Sequence, residues 1–74
     1  MDKPNNTPPP WSEAPPWAMW RCQEEHGYWK FLNKKPKAGR SYWLYDDGAR
    51  VKIFDSFPQN PNWRETLQKR PENE

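Results

Sequence analysis

Aliphatic side chains are scarce in this chain of 74 residues, in which charged residues make up 30%. Only Leu32, Leu44, Leu67, Val51 and Ile53 belong to the large aliphatic type. A core of the ordinary Leu/Ile/Val kind is therefore excluded, and a domain this small has little other surface to bury. The single cysteine, Cys22, also excludes an intramolecular disulfide and a cysteine-based zinc site.

Groups that carry catalysis are equally sparse. The one histidine, His26, precedes Gly27 at a predicted turn, and Cys22 falls on the inward face of a predicted strand, where cysteines are usually inert. The acidic pairs at 24–25 and 46–47 flank turns, where carboxylates bond locally to the backbone. The sequence contains no glycine-rich phosphate loop. We therefore predict a non-catalytic protein without a cofactor or metal.

Long apolar runs are absent, which argues against a membrane span, and no basic start followed by an apolar stretch suggests a signal peptide. The expectation is a soluble, intracellular protein.

Tryptophan is abundant, with six residues in the chain. Each large aromatic side chain buries roughly 150–250 Å², so indole rings are the main source of a core. Two-residue alternation predicts a core made of Trp20, Trp29, Phe31, Val51 and Ile53, together with either Trp43 and Tyr45 or Tyr42 and Leu44.

Strand patterns occupy residues 17–25, 28–33, 41–46 and 49–54. His26-Gly27 and Asp46-Asp47-Gly48 supply turn signals between them. The predicted fold is a small β (α+β) domain over residues 17–70, with an antiparallel meander of three to four strands. Such a sheet has two open edges, which leaves edge-to-edge dimerisation open.

The two ends of the chain differ from this central part. Residues 1–16 are rich in proline and predict a flexible tail, in which Trp11 either packs on the sheet or stays exposed, as does Trp17 just beyond it. Asn62, Glu65 and the Trp63–Leu67 spacing predict a short helix at about 62–70, ended by Pro71, with residues 71–74 frayed.

Cations and exposed aromatics concentrate in residues 28–45. The predicted contact residues for a partner are Tyr28, Lys30, Lys34, Lys35, Lys37, Arg40, Tyr42 and Tyr45. Tyrosine is enriched at protein interfaces, so a protein partner is the preferred prediction. Cations interleaved with stacking rings also suit single-stranded nucleic acid, which is the alternative.

Two family resemblances accompany these residues. Trp11-x-x-Ala14-Pro15-x-Trp17-Ala18, Gly27-Tyr28-Trp29-x-Phe31, Lys35-Pro36, Trp43 and Asn62-Trp63-Arg64-x-x-Leu67-x-x-Arg70-Pro71 resemble small tryptophan-rich proteins of tailed bacteriophages and prophages. The acidic residue usual before the turn glycine is His26 here. This resemblance implies a protein that binds a host or phage protein in the bacterial cytoplasm, and it supplies no catalytic residues.

The second resemblance is to WW modules, in the segment Tyr28-Trp29-Lys30-Phe31-Leu32-Asn33 followed by Trp43. The proline that ends such modules is missing, and a fourth strand follows. This resemblance implies binding of proline-rich peptides, which is a further alternative.

Overall fold

The computed structural model describes residues 7–54 and 58–73, which are built mainly from antiparallel β-strands. The strands are β1 (Trp20–Gln23), β2 (Trp29–Leu32), β3 (Lys37–Ala38), β4 (Trp43–Leu44), β5 (Val51–Phe54) and β6 (Gln68–Lys69). Short 3-10 helices cover Trp11–Glu13 and Trp63–Glu65, and no α-helix occurs in the described ranges. The antiparallel β prediction is confirmed. No helix there is long and apolar enough to cross a membrane.

The strand order departs from a simple meander. Four strands form one sheet in the order β5-β2-β1-β6, while β3 and β4 form a separate two-stranded ribbon. The β1–β2 hairpin turns at Gly27, whose φ of 106° favours glycine. The predicted turn at 46–48 also forms, because the Ala49 amide donates to the Asp46 carbonyl at 3.0 Å. It leads from the ribbon back to the large sheet, where β5 pairs with β2 and not with β4.

Two hydrophobic clusters cover the two faces of the large sheet. One contains Cys22, Leu32, Trp43 and Trp63, and the other contains Trp11, Ala18 and Phe31. Phe31 and Leu32, which are neighbours on β2, therefore belong to opposite clusters, as two-residue alternation requires. Trp29 and Trp43 are buried as predicted, and Trp20 is half-buried against the first cluster.

The prediction that Ile53 belongs to the core is wrong, because 57% of its surface is exposed. It lies on the same face as Leu32, but the ribbon covers that face only beside Cys22 and Leu32. Alternation identifies the face of a strand and says nothing about how far the covering layer extends.

The flexible tail predicted for residues 1–16 is not confirmed for its described part. Trp11 is only 4% exposed, and its ring lies 5.4 Å from that of Phe31. The Arg21 guanidinium lies 4.5 Å from the same indole ring and donates to the Pro9 carbonyl at 2.9 Å. Prolines suit such a covering segment, since they bring few backbone N–H groups that need partners. Trp17 packs on the same cluster, so both tryptophans act as cover; residues 1–6 lie outside the described ranges.

The predicted helix over residues 62–70 is wrong. One 3-10 turn at Trp63–Glu65 is followed by strand β6, which pairs with β1. The Thr66 hydroxyl accepts a hydrogen bond from the Gln23 amide at 2.8 Å, and the Arg70 amide donates to the Met19 carbonyl at 2.8 Å. A two-turn helix is marginal by itself, whereas pairing along β1 satisfies backbone groups on both strands.

Candidate functional site: the tyrosine cleft

An open cleft of about 470 Å³ lies between the large sheet and the ribbon. We call it the tyrosine cleft, because all three tyrosines of the chain line it. Its lining residues are Glu24, His26, Tyr28, Lys30, Tyr42, Trp43, Leu44, Tyr45 and Ile53. These residues come from the β1–β2 turn, β2, the ribbon and β5, so only the tertiary fold brings them together.

The ribbon wall of the cleft is held by Trp43. Its indole N–H donates to the Gln23 carbonyl at 2.9 Å, and its ring packs edge-on against Trp63 at 5.6 Å. The turn before it requires Gly39, since a Cβ at this position would lie 2.5 Å from the Tyr42 carbonyl oxygen. With the indole buried and the turn tight, Tyr42, Leu44 and Tyr45 are left exposed on the cleft side.

An ion pair lies at the base of the tyrosine cleft. The Lys30 ammonium is 2.8 Å from the Glu24 carboxylate, and the two side chains are only 14% and 7% exposed. The other Glu24 oxygen accepts a hydrogen bond from the Trp43 amide at 3.3 Å. The Tyr45 ring lies 5.3 Å from the ammonium. Glu24 therefore joins the β1–β2 hairpin to the ribbon and balances the charge of Lys30.

Burial lowers the pKa of Lys30, but the hydrogen bond and the attraction to Glu24, with a smaller contribution from Tyr45, outweigh it, so the pKa lies above its ordinary value. Lys30 is therefore charged at neutral pH and forms an ion pair with Glu24. The base of the cleft is polar yet carries no net charge.

The predicted contact residues divide into three groups in the structure. Tyr28, Lys30, Tyr42 and Tyr45 line the tyrosine cleft. Lys34, Lys35 and Lys37 line a neighbouring depression of about 240 Å³ that shares Leu44 and Tyr45 with the cleft and also contains Asp46. Arg40 lies outside both, and its carbonyl accepts a hydrogen bond from the Arg64 guanidinium.

Comparison with protein-family models, curated proteins and solved structures finds no match to this chain.

Glu24, Leu44 and Ile53 belong to the site but were not predicted as contact residues. Glu24 was interpreted as a turn carboxylate, and the run of lysines gave no sign that one of them would be neutralised by it. Ile53 was predicted in the core, and Leu44 was predicted there in one of the two alternatives. No local pattern distinguishes these positions, because their exposure depends on where the ribbon stops covering the sheet. Within residues 7–54 and 58–73, no three His, Cys, Asp or Glu side chains cluster to hold a metal ion.

Cys22 lies beneath the site, fully buried in the first cluster. Burial, together with the charge of Glu24, raises the pKa of its thiol from 9.0 to about 12, and Lys30 opposes this only partly. We expect iodoacetamide to alkylate the native thiol at least about a thousandfold more slowly than the unfolded one, since the thiolate is the reactive form. Mass spectrometry with and without urea at mildly alkaline pH measures both rates, and similar rates would contradict the buried position.

The buried thiol of Cys22 also makes stability depend on pH. Because the unfolded thiol ionises near pH 9 and the native one near 12, the contribution of Cys22 to the free energy of unfolding is complete below pH 9 and decreases between these values.

Proposed function

We propose that this chain is a non-catalytic binding protein that holds a segment of a partner protein in the tyrosine cleft. The observation that carries the proposal is the distribution of exposed apolar surface. Apart from Met19, every exposed large hydrophobic side chain among the described residues lines the cleft. Monomeric proteins rarely collect exposed apolar groups on one face without a binding role.

The composition of the cleft suits a protein partner. Tyrosine offers a large rigid surface with a polar end, and it is enriched among the residues that dominate binding energy. The ion pair of Lys30 and Glu24 at the base makes the cleft polar, and because it has no net charge the ligand needs no opposite charge there. By analogy with the phage and prophage proteins that the motifs resemble, we propose a host or phage protein in the bacterial cytoplasm as the partner.

Single-stranded nucleic acid is the alternative ligand. It requires a positive groove beside stacking rings, and Lys34, Lys35 and Lys37 border the neighbouring depression. Inside the tyrosine cleft, however, the charge of Lys30 is balanced by Glu24. Tyr45 lines both depressions, but Tyr28 and Tyr42 line only the cleft, and the three lysines line only the neighbouring depression. This separation favours protein over nucleic acid. A proline-rich peptide is less well supported, because the exposed tryptophan pair it needs is absent from the described residues, where four of the indoles are buried.

Affinity purification from a bacterial lysate, with and without nuclease, tests this function. Replacing Tyr28 and Tyr45 together by alanine should weaken capture of the partner by about thirtyfold or more, since one strong interface residue contributes about 2 kcal/mol. Met19→Ala is the matched control, because Met19 is exposed but lies outside the cleft. Circular dichroism would establish that all variants are folded.

Two results would overturn the proposal. Equal capture by the double variant and the wild type would exclude the cleft as the binding surface. Loss of capture after nuclease treatment would identify nucleic acid, and not a protein, as the ligand.

A further inference from the structure

Strand β5 forms one edge of the large sheet, directly beside the tyrosine cleft. It pairs with β2 on one side, and no described strand pairs with the other side. Such an edge presents unpaired N–H and C=O groups to any extended chain that approaches it.

The hydrogen bonds at the start of β5 identify which backbone groups face outward. The Asn33 amide donates to the Arg50 carbonyl at 3.2 Å, and the Arg50 amide donates to the Asn33 side-chain oxygen at 2.8 Å. Backbone groups in an antiparallel pair alternate in direction. Lys52 and Phe54 therefore bond to β2, whereas the N–H and C=O groups of Val51 and Ile53 point toward the open edge.

The side chains of β5 alternate in character as well. Val51 and Ile53 lie on the cleft face of the sheet, opposite Leu32 and Lys30 in the register of β2. Lys52 lies on the other face and is exposed. Arg50, next to β5 and in the same alternation, is also exposed. A strand added at this edge would thus have an apolar environment on its cleft side and a basic one on the other.

A second copy of this chain fits the edge poorly. If two β5 strands paired so that Val51 and Ile53 exchanged hydrogen bonds, Lys52 of each copy would lie directly opposite Lys52 of the other. Like charges facing each other across two strands are destabilising, and an edge lysine commonly prevents self-pairing. This argues against the edge-to-edge dimer.

We propose that the partner segment binds as an added strand along β5 and alternates apolar with acidic side chains. Its apolar side chains extend over Val51 and Ile53 into the tyrosine cleft, and its acidic side chains face Lys52 and Arg50. The main-chain bonds supply affinity and the alternating side chains supply selectivity. This inference rests on the proposed function and specifies the chemistry of the ligand.

The test uses a capped heptapeptide that alternates glutamate with valine, and a control peptide of the same composition in which the glutamates are consecutive. NMR hydrogen exchange on the full chain reports each amide separately. Saturation with the alternating peptide should slow exchange of the Val51 and Ile53 amides by about tenfold or more. The Lys52 and Phe54 amides, already bonded to β2, should change little.

A charge exchange supplies the second measurement. Lys52→Glu should weaken binding of the glutamate peptide by about fivefold to tenfold and strengthen binding of a lysine–valine peptide by a similar factor, since one cross-strand attraction becomes a repulsion. Lys69→Glu, at the opposite edge of the sheet, is the matched control and should leave both affinities unchanged.

Three outcomes would overturn the inference. In the first, the peptide changes the NMR chemical shifts of the tyrosine rings but does not slow hydrogen exchange of the Val51 and Ile53 amides. This result would leave the proposed function standing, because the peptide would still bind in the cleft. The second is equal binding of the alternating and control peptides. The third is protection of both amides that increases with protein concentration in the absence of peptide, which would assign the edge to a second copy.

Discussion

Trp63→Ala is expected to lower the free energy of unfolding by about 3–5 kcal/mol, the usual cost of removing a buried tryptophan. Trp63 is 2% exposed and packs edge-on against Trp43 in the cluster with Cys22 and Leu32. A domain of this length is typically stable by only about 4–11 kcal/mol, so the variant should be close to unfolding or partly unfolded without denaturant. Urea titration followed by circular dichroism measures the change.

Two matched variants show whether the loss reflects packing at this position. Trp63→Phe keeps a ring in the cluster and should cost clearly less than alanine. Tyr42→Ala removes an aromatic ring that is 59% exposed and should change stability by less than about 0.5 kcal/mol. If Trp63→Ala and Tyr42→Ala had similar effects, Trp63 would not be the core residue described here.

Glu24→Ala is expected to lower the free energy of unfolding by a similar amount, about 3–5 kcal/mol, because it leaves the ammonium of Lys30 buried without its partner. It also removes the acceptor for the Trp43 amide, so the ribbon should loosen from the hairpin. Chemical denaturation gives the stability, and the NMR signals of the cleft tyrosines report the position of the ribbon.

The neighbouring Glu25→Ala is the control for Glu24→Ala, because Glu25 is exposed and bonds to Asn60 through its carbonyl, which the substitution retains. It should cost less than about 0.5 kcal/mol. The double variant Glu24→Ala with Lys30→Met should recover part of the loss, since no buried charge then remains unpaired. A double variant less stable than Glu24→Ala alone would contradict this account of the ion pair.

The ion pair also has a pH signature. The native pKa of Lys30 lies above the ordinary 10.5, so its contribution to stability is complete below pH 10.5 and is lost as the pH rises through the higher native value. Ionisation of Cys22 acts in the same direction between pH 9 and about 12. Measuring Glu24→Ala and its parent in a Cys22→Ala background separates the contribution of Lys30 from that of Cys22. The difference in free energy of unfolding between these two proteins should shrink above pH 10.5.

The predictions that succeeded rest on local chemistry. Alternation located β1, β2 and β5, and the glycine turn joined the first two, because side-chain direction and backbone freedom are properties of adjacent residues. All three tyrosines are exposed, because tryptophans fill the core in a chain with few aliphatic residues; their contact with a partner stays a prediction. Their convergence on one cleft is a result of the fold.

The errors share a different origin. Residues 68–69 carry a helical pattern but form a strand, because pairing with β1 satisfies backbone groups of both strands, whereas a two-turn helix is marginal by itself. Ile53 carries a core pattern but is exposed, because the ribbon pairs with itself and covers only part of the sheet. In both cases the deciding partner is distant in the sequence.

The sequence by itself therefore determined that this chain builds a small antiparallel β fold on tryptophans, and it predicted tyrosines and lysines as the contact residues. Only the tertiary structure decided that Lys30 is neutralised by Glu24, that the tyrosines meet in one cleft, and that β5 lies at an open edge beside it. The physical reason is that strand order and ion pairing depend on contacts between distant segments. The free energies of these contacts cannot be predicted from the local pattern of side chains.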